Sequence, residues 1–257
     1  MLTLYHLRIS HFSEKARWAL NYKGLQYRSR LLTPGYHILT TRRVAGTRTV
    51  PVLVDTEGDS VVSDSTDILH YLDRIRPDPP LFPRDADLAT AVAEAEDAID
   101  TDWGPNSSGY TYCCLLQTPD VLRARWSGGL NVFQRAALFL AMPLFTRAMA
   151  RSRNLGPATA SKYLDAARSA LDDIETRLAN NGGQYLVGNE FTAADLTAAA
   201  MMGPYIAAPG SPWDGSADDL PADLLAFRRE VSTRPAGEYG LRIWAQHRNR
   251  PAPVASR

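Results

Sequence analysis

Apolar and polar positions follow two alternating periods along the first eighty residues and a single helical period afterwards. Leu2 to Tyr5 has the pattern of a short strand. A polar loop leads from it to Phe12, Ala16, Ala19 and Leu20, whose offsets of four, seven and eight put apolar side chains on one helix face. Lys23-Gly24 ends that helix, glycine being the usual residue just past a C-terminus. Leu25 to Leu32 reads as a second strand, and Tyr36 to Arg42 as a short helix inside the irregular stretch 33–48. Thr49 to Asp55 is a β-branched strand. Pro51 sits near its start, where a residue that cannot donate a ladder hydrogen bond belongs. Glu57-Gly58-Asp59 turns into a short partner strand, Ser60-Val61-Val62. Ile68, Leu69, Leu72 and Ile75 then mark another helix. The order is β-α-β, hairpin, helix.

The run Arg76-Pro77-Asp78-Pro79-Pro80-Leu81-Phe82-Pro83 is too rich in proline to continue a helix and reads as a linker. Beyond residue 85 the pattern is helical: Asp87 to Asp102, Asp120 to Ala150 with breaks expected at Gly128-Gly129 and Pro143, and Ala158 to Ala179. Tyr110 to Thr118 fits neither period and takes no assignment. In Glu190-Phe191-Thr192-Ala193-Ala194-Asp195-Leu196, Thr192 is placed to cap a helix. Asp195 can reach back to the cap's amide, and Phe191 and Leu196 form the hydrophobic staple. That structural role accounts fully for Asp195. The organisation expected is residues 1–76, a linker 77–86, and an all-helical unit 87–257.

The 28 basic and 28 acidic residues balance, which favours neither nucleic acid nor an anionic membrane as partner. Lysine occurs only at Lys15, Lys23 and Lys162, an arginine excess that reads mainly as coding bias. Adjacent Cys113 and Cys114 lack metal or disulfide-framework spacing and read as buried small side chains. The five histidines, at positions 6, 11, 37, 70 and 247, have no metal-ligand spacing, so no metal is expected. Nothing ahead of the first strand reads as a leader. The apolar run 136–145 is about half a membrane span, and the chain is expected to be soluble and cytoplasmic.

Four motifs in this order resemble the cytosolic glutathione transferase superfamily, with a serine-type N-terminal motif similar to zeta-, tau- and omega-like members: Ser10-His11-Phe12-Ser13-Glu14-Lys15-Ala16-Arg17, Val50-Pro51-Val52-Leu53, Asp64-Ser65-x-x-Ile68-x-x-Tyr71-Leu72, and the Thr192 box. The resemblance implies an α/β thioredoxin-like N-terminal domain that holds glutathione. It also implies an all-α C-terminal domain that supplies a pocket for a small hydrophobic electrophile, and a homodimer. Glutathione is then a co-substrate. Pro51 should be cis, leaving the Val50 amide and carbonyl to pair with the cysteinyl backbone. Asp64 and Ser65 should hold the γ-glutamyl end, Ser65 at a helix start where partial positive charge gathers. Asp64 stands where the family usually has glutamate.

The implied chemistry needs a thiolate, and a free thiol has a pKa of about 8.5 that a helix N-terminus or a hydrogen-bond donor lowers. Ser10, just ahead of the first helix, matches the family's catalytic serine. Tyr5, near the tyrosine used by other classes, and Ser13, one turn further, are its alternatives. Ser10 could instead be a plain helix cap, Tyr5 a packed strand residue, and His11 a solvent-facing helix-start histidine. Arg42, Arg43 and Arg48 flank the loop before Pro51, within reach of the glycine carboxylate. Trp103, Tyr110 and Tyr112 are either pocket lining or core. The leading expectation is conjugation of the thiolate to a hydrophobic electrophile. A glutathione-dependent isomerase or dehalogenase and a non-catalytic binding or regulatory protein are the other two.

Overall fold

The computed structural model describes residues 1–214 and 219–248. Its N-terminal part is a four-stranded mixed sheet of β1 (Leu2–His6), β2 (Tyr27–Leu31), β3 (Val52–Asp55) and β4 (Ser60–Val62), with helices α1 (His11–Tyr22), α2 (His37–Ala45) and α3 (Ser65–Ile75). The strand order is β2-β1-β3-β4. β1 runs parallel to β2, with Tyr5 opposite Arg30, and antiparallel to β3, with Tyr5 opposite Val52. The parallel pair needs a crossover, which α1 supplies. β2 starts later than the pattern predicts because the Leu25 amide still bonds the Leu20 carbonyl at 3.0 Å, and Gly24 takes the left-handed conformation that lets the chain leave the helix.

The remainder is helical: α4 (Ala86–Ala98), a π-helical turn (Ile99–Trp103), α5 (Gly104–Leu115), α6 (Pro119–Ser127), α7 (Val132–Ser152), α8 (Pro157–Asn180), α9 (Ala193–Ile206), α10 (Ala222–Thr233) and α11 (Pro235–Ile243). The unassigned stretch 110–118 therefore begins inside a helix, α5. Pro143 does not break α7, which continues through it. Cys113 and Cys114 are both buried and free.

α1 is buried on nearly every side, packed chiefly against α9 and α3. Trp18 on α1 stacks on Phe191, just ahead of α9, at 6.1 Å and meets Trp244, just past α11, edge-on at 5.0 Å. α9 is almost wholly buried, and its start is built as the sequence predicts. The Asp195 carboxylate accepts from the Thr192 amide at 2.9 Å, and also from the Leu186 amide at 2.9 Å and the Tyr239 hydroxyl at 2.5 Å.

Two of the three lysines are fully buried at the junction of the two parts. Lys15 on α1 donates to Thr66 Oγ1 at 2.8 Å and Asp100 at 2.5 Å and pairs with Glu96, which also accepts from Thr197 at 3.1 Å. Four segments of chain meet on that one ammonium. Lys23 pairs with Asp73 and donates to the carbonyls of Arg76 at 2.9 Å and Pro79 at 2.5 Å, and Asp73 accepts from the Leu81 and Phe82 amides. The linker is thus held by charge-assisted bonds. Reading arginine excess as coding bias overlooked what the retained lysines do.

Candidate functional site

β1 ends at His6 and the chain passes through Leu7-Arg8-Ile9 before α1 begins. Arg17, one and a half turns into α1, fixes that loop. It donates to the carbonyls of Leu7 at 3.2 Å and Arg8 at 2.9 Å, while Glu14 accepts from its Nε at 2.8 Å. It also donates to His6 Nδ1 at 2.8 Å. An arginine has no acceptor, so His6 carries its proton on Nε2 and gives it to Ser29 Oγ at 2.7 Å. Burial, with the Arg17 charge, pulls His6 down to about 4. The loop ahead of Ser10 is therefore held from behind by a buried, neutral imidazole and a paired guanidinium.

Ser10 is the N-cap of α1, in extended backbone conformation, and its Oγ accepts from the Ser13 amide at 3.2 Å. Its side chain borders two cavities. The larger, about 210 Å³, opens toward α5, α9 and α10 and has Phe12, Thr111, Tyr112, Leu115, Trp213 and Leu224 in its wall. The smaller, about 160 Å³, lies toward β2 and α2 and is walled by Leu32, Pro34, His37, Phe145 and Met149. Leu7, Ile9, Ser10, Tyr112, Arg125 and Arg153 belong to both.

Tyr5 and Ser13 border neither cavity. Tyr5 sits in mid-sheet between Arg30 and Val52, and Ser13 is fully buried with its Oγ accepting from the Leu7 amide at 3.4 Å. Val50-Pro51 is a cis peptide at the entry to β3, and among the described residues the Val50 amide and carbonyl make no hydrogen bond within the chain. Asp64 is the exposed N-cap of α3, accepting from the Thr66 amide at 2.8 Å and the Asp67 amide at 3.4 Å. Ser65, the first residue of that helix, is buried. The Lys15–Thr66 bond ties this helix start to α1 little more than a turn beyond Ser10. Arg42, Arg43 and Arg48 face solvent.

His11 does not face solvent, contrary to expectation. It is 7% exposed, tilted against the Phe12 ring at 4.5 Å, and lines the larger cavity. Burial and the neighbouring Arg153 push it down to about 3, so the ring is neutral. Its Nε2 is buried with no partner among the described residues. Of the aromatic trio, Tyr112 is cavity lining, whereas Trp103 and Tyr110 are core. Arginines 125, 153 and 228 escaped the sequence reading entirely. They come from α6, the end of α7 and α10, spread over about a hundred residues, and no local pattern links them.

A family model for the glutathione S-transferase N-terminal domain matches residues 4–80, and one for the C-terminal domain matches residues 156–236, together more than half of the chain. The chain belongs to the cytosolic glutathione S-transferase superfamily. Over 87 residues it is 40% identical to glutathione S-transferase Z1 of Arabidopsis thaliana, a match spanning 33% of this chain and 38% of that protein. Among solved structures it is similar to a glutathione S-transferase of Xanthobacter autotrophicus, with 18% identity, TM-score 0.60 and coverage of 98% and 97% of the two chains. It is also similar to the beta-etherase LigF of a Sphingobium strain, with 19% identity, TM-score 0.61 and coverage of 94% and 98%. A Methylobacterium radiotolerans relative, solved in complex with glutathione sulfonate, shares 21% identity with TM-score 0.55 over 93% of this chain and 94% of its own. At these identities the likeness of structures is a likeness of fold. No helix among the described residues is long and apolar enough to cross a membrane.

Proposed function

We propose that the chain is a serine-type glutathione transferase that adds the glutathione thiolate to an electrophile seated against α5, α9 and α10. The observation that carries the reading is the position of Ser10. Of the three hydroxyls considered, it alone borders the cavities, and it does so at the positive end of α1. A serine hydroxyl has one proton to give and two lone pairs. The Ser13 amide uses a lone pair, which leaves the proton for a sulfur in the cavity. Capping and thiolate stabilisation therefore coexist in one side chain. A hydrogen bond to the charged form lowers a thiol's pKa, and the helix end acts in the same direction.

The rest of the site supports a tripeptide lying along the N-terminal domain. The Val50 backbone offers the edge that a peptide would pair with. The start of α3 gives Ser65 and backbone amides for a carboxylate, with Asp64 beside them for an ammonium. The Methylobacterium relative that holds glutathione sulfonate supports glutathione as the thiol. The homodimer belongs to the same reading and is checked by light scattering.

Calorimetric titration with glutathione, followed by turnover of chlorodinitrobenzene, tests the function. Binding with release of chloride is expected. Absence of binding would overturn the reading in favour of a defunct site, and binding without conjugation would favour the isomerase, dehalogenase or binding-protein alternatives.

A further inference from the structure

Among the described residues the wall of the larger cavity contains no aspartate or glutamate, yet it holds three arginines. Arg153 is occupied, donating to Ser108 Oγ at 2.8 Å and the Pro105 carbonyl at 3.3 Å while lying over the Tyr112 ring. Arg228 on α10 is different. It is 9% exposed, and among the described residues it has neither an ion pair nor a hydrogen bond. The groups that act on it are Arg125, another cation, and Tyr205. The Tyr205 hydroxyl already donates to the Ser107 carbonyl at 2.5 Å, with Thr111 Oγ1 also at 2.5 Å. Burial and the Arg125 charge hold Arg228 below the usual arginine range.

A guanidinium taken out of water without a counter-ion is strongly unfavourable, and buried charges in folded proteins are paired. Here Arg228 faces a cavity whose other described lining is mostly apolar, and Arg125, which has an interaction of its own, brings a second positive charge to it. Among the described residues the Arg228 charge lacks a partner, and it borders the cavity, from which a partner can come. A planar fork of N–H donors also suits a carboxylate or sulfonate held by two bonds.

Building on the transferase reading above, we infer that the electrophile carries an anionic group, a carboxylate or sulfonate on an apolar or aromatic body. Arg228 binds the anion, with Arg125 beside it, and the body packs on Trp213 and Leu224. Glutathione also has carboxylates. The contacts expected for its two carboxylates, Ser65 at the start of α3 and one of Arg42, Arg43 and Arg48 before β3, lie outside this cavity, which assigns the anion at Arg228 to the second substrate.

A chlorodinitrobenzoate and its methyl ester make a pair of probes once each kcat/KM is divided by that probe's uncatalysed rate constant with glutathione, which removes the ester's stronger activation of the ring. In both, the thiolate attacks the ring carbon, the C–S bond forms, the C–Cl bond breaks, chloride leaves and the thiol proton goes to solvent. The wild type is expected to prefer the carboxylate over the ester in this normalised kcat/KM by about tenfold or more, the range of a charged hydrogen bond. Arg228→Met should bring that ratio close to one, and Arg228→Lys should retain part of it. The glutathione dissociation constant should be the same in all three proteins. Equal handling of the two probes by the wild type would overturn the inference, as would an unchanged ratio in Arg228→Met. Glutathione binding lost on Arg228→Met would assign the site to the tripeptide instead. Calorimetric binding of unreactive dinitrobenzoate to wild type and Arg228→Met needs no thiol. Anion binding that depends on Arg228 in a protein that does not bind glutathione would defeat the transferase reading and leave the anion site standing.

Discussion

The Ser10 hydroxyl accepts from the Ser13 amide at 3.2 Å, and the same residue that caps α1 also borders both cavities. The bond uses one lone pair of the hydroxyl and leaves its proton free to be donated elsewhere. A cap and an activator are commonly weighed as rivals. In this geometry the cap is compatible with the activating role proposed for Ser10.

Ser10→Ala should raise the pKa of bound glutathione by about one to two units, each unit being ~1.4 kcal/mol between protonation states. Turnover near neutral pH should fall with it. Thiolate absorbance in the bound complex, titrated against pH, measures the shift. Loss of the cap should separately reduce stability by about 0.5–2 kcal/mol, read by urea unfolding. Tyr5→Phe and Ser13→Ala should leave the titration in place. A shift in Tyr5→Phe alone would move the activator to the sheet.

The start of α3 combines two tasks that separate by assay. Ser65→Ala should weaken glutathione binding by roughly 1.5–3 kcal/mol, the range for a hydrogen bond to a charged group. The fold should be intact, because Asp64 and not Ser65 caps the helix. Asp64→Ala should weaken binding and also lower stability by about 0.5–2 kcal/mol as a lost cap. Calorimetry with glutathione and urea unfolding of each variant report the two effects, and a Ser65→Ala dissociation constant equal to wild type would place the γ-glutamyl contact elsewhere.

The fold was legible where local pattern and tertiary environment agree. The strand runs, the Lys23-Gly24 stop and the Thr192 box each specify a local geometry that packing leaves in place. α5 was illegible because its residues answer to several neighbours at once. Gly109 is there because a Cβ would come within 2.3 Å of the Tyr163 ring, Ser107 is buried, and Tyr112 faces the cavity, so no single apolar stripe emerges. The expected break at Pro143 fails because one missing amide is tolerated on a partly exposed helix, where Thr146 Oγ1 donates to the nearby Met142 carbonyl at 2.8 Å. His11 was misplaced because its exposure is set by Phe12 and by helices a hundred residues away. The arginines of the cavity carry no local signal at all.

Lys15 tests how firmly the two parts of the chain are joined. Its ammonium is fully buried among Thr66, Glu96 and Asp100. Removing one partner of a buried pair leaves the other charge uncompensated, at a cost of about 3–5 kcal/mol. Lys15→Met should therefore destabilise strongly. Lys15→Met combined with Glu96→Gln should recover part of the loss, because the stranded carboxylate is gone. Urea unfolding of both variants gives the comparison, and a double variant no more stable than the single one would contradict charge stranding as the cause.

The buried histidines set a pH dependence whose sign can be worked out. His6 and His37 are lowered to about 4 and His11 to about 3 from an ordinary 6.5, in each case chiefly by burial. Between the lowered and ordinary values the unfolded chain binds more protons than the folded one, so stability falls as the pH drops below about 6.5. From pH 7 to pH 5 each histidine should remove on the order of 1–2 kcal/mol. Asp100 and Asp195, pushed up by burial, work in the opposite sense, so the raw slope mixes both. A variant difference isolates one group. His37 suits the test because burial alone lowers it, and its Nδ1 accepts from the Gly35 amide at 3.1 Å, which a glutamine oxygen can replace. The loss of unfolding free energy between pH 7 and pH 5 should be smaller in His37→Gln than in wild type by that one histidine's share. Equal losses in the two proteins, measured by urea unfolding at both pH values, would mean that His37 protonates without unfolding and is less enclosed than the packing of Phe145 against its ring indicates.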